Sequence, residues 1–206
     1  MTKILLTRHG HVEGLSPERF RGQTDIPLTD KGKCQAGALA KRIHSGWRPV
    51  AIYTSPLQRC IATGEAIAAA TGAPRRTVES LTDLHYGAWQ WRTLEEVRSH
   101  YPALLAVWHS APHLVRFPDG ESLQDLFART ADALRFVLDH HHDETIVLVG
   151  HESVNRAMLL QALDQPPSAY WRIVQDPCAL SELDVTRSHA RVVRMNETGH
   201  LLTNID

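Results

Sequence analysis

The stretch Ile4-Leu5-Leu6-Thr7-Arg8-His9-Gly10 carries the most information about the fold of this chain. Its short apolar run predicts a buried strand, which ends in an arginine, a histidine and a glycine. A second run, Ile146-Val147-Leu148-Val149-Gly150, has the same character and ends in His151. Parallel α/β sheets bind ligands at the carboxyl ends of their strands, so we expect the two histidines to share one site.

On either side of these runs, the periodicity of apolar residues predicts strands that alternate with helices. This alternation is typical of a mainly parallel sheet covered by helices. Thr29 is expected to cap the first helix, Ser55-Pro56 to begin the second and Ser153 to cap the last. The final two strands are adjacent in sequence and favour an antiparallel edge. The predicted strands are 3–8, 51–54, 75–79, 145–150, 179–185 and 189–196, and the predicted helices are 29–46, 55–71, one or two within 93–109, 121–142 and 153–163.

Composition limits the function classes. The 206 residues are 43% hydrophobic and 22% charged with a net charge of −1, so no global field favours nucleic acid or an anionic membrane. The apolar stretch at the N-terminus is too short for a signal peptide or a membrane span. Three dispersed cysteines give neither a disulfide framework nor a metal site, which predicts a reducing compartment, most simply the cytoplasm.

Arg8, His9 and Arg59 have side chains suited to phosphoryl chemistry. An imidazole can take a phosphoryl group as a nucleophile, and guanidinium groups match the geometry of phosphate oxygens. Arg59 falls in the first turn of a helix that follows a strand, so it should lie at the same edge of the sheet. Because the chain has neither a phosphate-binding loop motif nor metal-ligand spacing, we expect no cofactor and no metal.

Several short blocks resemble the histidine phosphatase superfamily, also called phosphoglycerate mutase-like, and the resemblance covers nearly the whole chain. It implies a three-layer α/β/α sandwich in which 1–206 form one domain and about 82–120 form an inserted lid. The blocks are Arg8-His9-Gly10, Gly22-Gln23-Thr24-Asp25-Ile26-Pro27-Leu28-Thr29, Ser55-Pro56-Leu57-Gln58-Arg59, Asp83-Leu84-His85-Tyr86-Gly87, Asp119-Gly120-Glu121-Ser122 and Val149-Gly150-His151.

The resemblance also implies roles for individual residues. His9 would form a phosphohistidine, while Arg8, Arg59 and His151 would bind the phosphoryl oxygens. Asp83 matches the position of the family's general acid, which is often Glu, and would protonate the leaving oxygen. The alternative for Asp83 is an ordinary structural role in a loop or a cap.

Two departures from the family pattern bear on phosphate and substrate binding. Leu15 stands where the family frequently has a phosphate-binding Asn, so Gln23 is a candidate replacement donor, although a plain loop role is equally open. Glu152-Ser153 follows His151 in place of the usual small pair, and Glu152 is expected to crowd or repel an anionic substrate. Trp89 is expected to pack the lid onto the sheet.

These observations favour a metal-independent phosphatase of small phosphomonoesters. Within that class, α-ribazole-5'-phosphate phosphatase and phosphoserine phosphatase are specific alternatives. Phosphoglycerate mutase and a non-catalytic phosphate-binding relative stay open as other classes. The expected partner is a small phosphorylated substrate rather than nucleic acid or membrane, and a homodimer is a further possibility.

Overall fold

Six strands form one sheet in the computed structural model, which describes residues 1–204. The strands are β1 Thr2–Arg8, β2 Ala51–Thr54, β3 Arg75–Thr77, β4 Thr145–Gly150, β5 Leu180–Val185 and β6 Ala190–Glu197. Their order is β3-β2-β4-β1-β5-β6. The first four strands in this order are mutually parallel, whereas β5 is antiparallel to β1 and β6 is antiparallel to β5. The predicted α/β class with an antiparallel edge is therefore confirmed.

The α-helices cover the sheet on both faces. Local capping explains two of their starts, since the Thr29 hydroxyl accepts from the amide of Gly32 and Ser122 forms a capping box with Asp125. No helix within residues 1–204 is long and apolar enough to cross a membrane. The helices are α1 Asp30–Gly46, α2 Gln58–Thr71, α3 Leu94–His100, α4 Pro102–Ser110, α5 Leu123–His140 and α6 Glu152–Ala162.

Alternating side chains of the central strands build two apolar cores. In β1, Ile4 and Leu6 pack with α5, α6 and the residues that precede α5, whereas Leu5 packs with α1 and α2. The sheet is therefore the middle layer of the predicted three-layer sandwich. Because apolar groups cover both faces, polar groups of this central sheet concentrate at the strand ends, which is where a site can form.

Two predicted helix starts are wrong. Helix α2 begins at Gln58 with Leu57 at the N-cap, because Ser55 continues the sheet and its amide donates to the carbonyl of Val149 at 3.1 Å. Helix α6 begins at Glu152 rather than after a Ser153 cap, and the Ser153 hydroxyl instead donates to the Asp83 carboxylate. The Ser55 hydroxyl accepts from the amide of Leu57 at 3.3 Å and also bonds to His151, so in both cases a tertiary contact engages the hydroxyl that was predicted to cap a helix.

The connection between β3 and α5 packs onto the sheet through aromatic side chains. Trp89 is fully buried, and its ring makes edge-to-face contacts with Phe20 and Phe117 at centroid distances of 5.0 Å. Trp89 is therefore a packing residue as predicted, although these ring contacts join the connection to the loop after β1 rather than to a strand. The connection ends at the sheet edge where β1 and β4 end, so it borders the site described next.

Candidate active site

His9 and His151 meet at the carboxyl edge of the sheet. His9 follows β1 and His151 follows β4, and these two strands are parallel neighbours. The two ring centroids are 5.2 Å apart with an interplanar angle of 63°, and both side chains are buried. The structure therefore brings together the two histidines that the sequence predicted to share a site.

The surroundings of His9 set its tautomer and its charge. Its Nδ1 lies 2.7 Å from the carbonyl oxygen of Gly10. A carbonyl can only accept, so Nδ1 carries the proton and Nε2 keeps its lone pair. Burial lowers the pKa of His9 well below its usual value, and the neighbouring Arg59, His151 and Arg8 lower it further. His9 is consequently a neutral imidazole at neutral pH.

Close backbone packing fixes the loop that follows His9. A Cβ atom on Gly10 would lie 2.4 Å from the carbonyl oxygen of Gly32, and one on Gly32 would lie 2.1 Å from that of His11. Neither position can take a side chain without moving the main chain. The end of β1 therefore rests directly on the first turn of α1, and this contact holds the main chain of His9 in place.

Arg8 offers two donors to the site. Its Nη1 donates to the carbonyl of Gln175 at 2.6 Å and lies 3.1 Å from Glu152 Oε2. Its Nε and Nη2 are buried and have no hydrogen-bond partner among residues 1–204. A guanidinium edge with two such N–H groups matches the bidentate geometry of a phosphate.

Arg59 is fully buried in the first turn of α2, and protein acceptors engage all its nitrogens. Nη1 and Nη2 donate to the carbonyls of Thr24 and Gly22 at 2.7 and 2.6 Å. Nε donates to His151 Nδ1 at 3.3 Å, and Nη2 reaches Asp83 Oδ2 at 3.4 Å. Arg59 thus ties the loop before α1 to His151 and Asp83, in addition to placing a positive charge beside them.

His151 is held by contacts on both ring nitrogens. Nδ1 accepts from Arg59, so Nε2 carries the proton, and Nε2 lies 2.8 Å from Ser55 Oγ. Burial, followed by the charge of Arg59, lowers the pKa of His151 well below its usual value. Cys60 Sγ lies 3.4 Å from Nε2 as well. Ser55 and Cys60 were not predicted as site residues, although Ser55 begins the sequence block that ends at Arg59 and Cys60 follows it.

Asp83 completes this cluster. Its Oδ1 accepts from the amide of Leu84 at 2.9 Å and from the Ser153 hydroxyl. Its Oδ2 lies 3.4 Å from Arg59 Nη2 and 3.6 Å from His151 Nδ1. The structure therefore places Asp83 beside the predicted phosphate-binding residues rather than in a distant turn.

Arg129 of α5, which the sequence did not single out, holds the segment that carries Asp83. Its guanidinium makes a bidentate pair with Glu121 at 2.8 and 3.0 Å. The same group donates to the carbonyls of Ser80, Thr82 and Asp83 at 2.9, 2.6 and 3.0 Å. Five contacts from one planar group leave little freedom to the main chain at Asp83.

A protein-family model described as histidine phosphatase superfamily, branch 1, matches residues 4–198. This chain belongs to that superfamily. The curated phosphoserine phosphatase 1 of Hydrogenobacter thermophilus is 31% identical over 201 residues, which cover 98% of this chain and 95% of the relative. The prediction that the chain belongs to this family and the prediction that it is a phosphatase are therefore both confirmed.

Solved structures agree with this histidine phosphatase assignment. YhfR of Bacillus stearothermophilus superposes with a TM-score of 0.92 at 29% identity, covering 98% of this chain and all of that chain. The phosphoserine phosphatase of Entamoeba histolytica, solved in complex with 3-phosphoglyceric acid, superposes with a TM-score of 0.84 at 27% identity. That match covers 98% of this chain and all of the other.

Gln23 lies behind Asp83 in this histidine phosphatase. Its side-chain Nε2 donates to the main-chain carbonyl of Asp83 at 3.1 Å, and its main-chain N–H donates to Gln90 Oε1 at 2.8 Å. The side-chain nitrogen proposed as a phosphate donor is therefore engaged with the protein. This geometry favours the alternative loop role.

Glu152 lies among three arginines at the N-terminus of α6. Its Oε2 is 3.1 Å from Arg8 Nη1 and 4.0 Å from Arg21 Nη2, and its Oε1 is 2.6 Å from Arg156 Nη2. The sequence predicted that this carboxylate would crowd an anion, but it gave no sign of these cations.

A cleft opens outward from Asp83 and Glu152. Its walls combine arginines with aromatic rings, a mixture that suits a polar ligand with a small carbon skeleton. Within residues 1–204 no group of three or more His, Cys, Asp or Glu side chains is arranged to hold a metal ion. The cleft is lined by Glu18, Arg19, Phe20, Arg21, Gly22, Asp83, Tyr86, Leu94, Trp108, His109, Glu152, Ser153, Arg156, Tyr170 and Trp171.

Proposed function

We propose that this histidine phosphatase hydrolyses small phosphomonoesters without a metal ion, through a phosphoryl group carried on His9. One observation carries the proposal. The neutral His9 keeps a lone pair on Nε2, and the adjacent Arg8 has two buried N–H groups that no protein acceptor satisfies. A nucleophile beside a bidentate cation is the arrangement that phosphoryl capture requires.

In the first step His9 Nε2 attacks phosphorus and the bond from phosphorus to the ester oxygen breaks. Arg8 and Arg59 stabilise the charge on the transferring oxygens, while His151 lies beside them with its Nε2 proton directed to Ser55 Oγ. Asp83 acts as the general acid in this proposal and supplies the proton that the leaving oxygen takes up, so that the ester group departs as the alcohol. The product is a phosphohistidine and an ionised Asp83.

In the second step water attacks the phosphohistidine. Asp83 accepts a proton from that water, the bond from phosphorus to His9 breaks, and inorganic phosphate leaves. The carboxylate thereby regains the proton that it lost, and His9 regains its lone pair. Ser153 and Arg59 support this proposal because each contacts one oxygen of the Asp83 carboxylate and so restricts its orientation.

Phosphoserine is the first candidate substrate, since the Hydrogenobacter and Entamoeba relatives are both named phosphoserine phosphatases.

We also propose a cytoplasmic location, which is supported by three free cysteines, Cys34, Cys60 and Cys178.

The proposed function predicts phosphate release rather than isomerisation. With excess EDTA present, release of phosphate from phosphoserine and from p-nitrophenyl phosphate should be unchanged. With 3-phosphoglycerate and a bisphosphoglycerate primer, little phosphate should appear at the 2-position. Phosphate assays and phosphorus NMR of the glycerate products measure both. Isomerisation much faster than release would replace the phosphatase assignment with a mutase, and activity that only Mg²⁺ restores would exclude the metal-free mechanism.

Arg129 should act as a positioning residue for Asp83. We expect Arg129→Gln to slow hydrolysis of alkyl phosphates by about 10²-fold, because a misplaced acid loses much of its effect. Cleavage of p-nitrophenyl phosphate, whose leaving group hardly needs a proton, should slow much less. Arg135→Gln is a matched control, since Arg135 lies on the same helix, is exposed and pairs with Asp132 three residues away. Equal losses on both substrates would show a general effect on folding instead.

A further inference from the structure

The carboxylate of Glu152 is held in a fixed position at the inner end of the cleft. Arg156 binds its Oε1 at 2.6 Å while Arg8 binds its Oε2 at 3.1 Å. The Glu152 side chain keeps about a third of its surface exposed, at 32%, so a ligand in the cleft can reach it. The family resemblance implies a small residue at this position, where this chain has a carboxylate.

The cations at the cleft are fixed as well. Arg156 Nε donates to the carbonyl of Ile173 at 2.7 Å, and its guanidinium lies over the rings of Tyr170 and Trp171 at 5.1 and 5.0 Å. Arg21 Nη1 donates to the carbonyl of Gly14 at 2.7 Å. These contacts hold both arginines at the walls of the cleft before any ligand binds, which limits the entropy lost on binding.

The positive and negative side chains around Glu152 do not cancel one another in charge. Arg8, Arg21 and Arg156 surround the single carboxylate of Glu152, and the remaining donors of Arg8 are assigned to the phosphate. Around Glu152 the cleft therefore presents one anion and two cations beyond the phosphate site, and Glu18 and Arg19 also belong to its lining. A ligand complements this pattern if it carries an ammonium and a carboxylate on the carbon skeleton attached to its phosphate.

We propose that Glu152 binds the ammonium group of a phosphorylated amino acid, while Arg21 and Arg156 bind its carboxylate. The inference rests on the proposed function and names the substrate class for the same site. A phosphorylated hydroxy acid has the carboxylate but not the ammonium, so it leaves Glu152 without a cationic partner from the ligand. Glu152 is in this way a specificity-determining residue.

Phosphoserine and 3-phosphoglycerate provide a matched test, because they differ only in an ammonium or a hydroxyl at the second carbon. We expect the wild-type enzyme to prefer phosphoserine in kcat/KM. Glu152→Gln keeps the shape and removes the charge, so it should lower the ratio of the two kcat/KM values by about 10- to 100-fold, the range for a charge-assisted hydrogen bond. Glu95→Gln is the control, since Glu95 is an exposed carboxylate of α3 that does not line the cleft and should leave the ratio unchanged.

Three other results would overturn the inference. If Glu152→Gln accelerates both substrates equally, the carboxylate only repels anions. If the variant slows both equally together with p-nitrophenyl phosphate, Glu152 only supports Arg8. These two results leave the proposed function intact, whereas a wild-type protein unable to hydrolyse any of the three esters would overturn both proposals. Calorimetric binding of phosphoserine and 3-phosphoglycerate to His9→Ala protein, with and without Glu152→Gln, should show the same change in preference without turnover.

Discussion

Replacement of His9 with alanine is expected to abolish turnover of every phosphomonoester. A group that forms the covalent intermediate has no substitute in the site, because His151 has its proton on the nitrogen facing Ser55 and its other nitrogen bound to Arg59. Loss of a nucleophile that acts with its neighbours as a unit typically costs on the order of 10⁴- to 10⁶-fold in kcat. The wild-type protein should in contrast accumulate an acid-labile phosphoenzyme.

Rapid quenching at alkaline pH with phosphate-labelled substrate, followed by gel separation, measures that intermediate. His9→Ala protein should carry no label, and its thermal unfolding should show whether the fold is kept. His140→Ala is a suitable control, because His140 is an exposed histidine at the end of α5 and its loss should preserve both label and turnover. Full activity in His9→Ala protein would exclude covalent catalysis by His9.

Replacement of Asp83 with asparagine is expected to separate the two chemical steps. Alkyl phosphates should be hydrolysed about 10²- to 10⁴-fold more slowly, since a leaving alkoxide needs a proton from the acid. With p-nitrophenyl phosphate the first step needs little proton transfer, but the second step still needs a base for water. The variant should therefore release a burst of nitrophenol, followed by slow turnover with phosphoenzyme accumulating.

Stopped-flow absorbance resolves the burst of nitrophenol. Substrate labelled in its phosphate shows whether the phosphoenzyme accumulates. Asp119→Asn is the matched control, because Asp119 is another aspartate of the same connection and its positive φ of 56° is also tolerated by asparagine. Small and equal losses on both substrates, with no burst, would assign Asp83 a loop role. Glu152 would then be the next carboxylate to test as the acid.

The sequence predicted the sheet and its helices well because their signals are local. The apolar runs of β1 and β4 and the cap at Thr29 are read from a few adjacent residues. The two wrong helix starts share one feature, since the hydroxyls of Ser55 and Ser153 each bond to a distant side chain, His151 and Asp83 respectively, although Ser55 also accepts from the amide of Leu57. Such competition between a cap and a tertiary contact is not encoded in the local pattern.

The site was predictable to the extent that it follows from topology and from the family motifs. His9 and His151 end neighbouring parallel strands, so their proximity could be expected. The contacts of Arg129 and Glu152 could not, because their partners come from segments far apart in the chain. Hydropathy carries no information about which distant arginine reaches which carboxylate, and that pairing determines both the placement of Asp83 and the character of the cleft.

The unsatisfied donors of Arg8 also bear on the stability of the fold. Burial without an acceptor typically costs about 1–3 kcal/mol per polar group and more for a charged one, which is a large part of the net stability of a domain. Burial lowers the pKa of Arg8, which reflects the same cost of keeping a charge away from water. The residue best suited to recognise phosphate is thus among the least favourable to folding. The two buried donors thus oppose stability and serve the proposed binding of phosphate, which is the trade-off expected at a functional site.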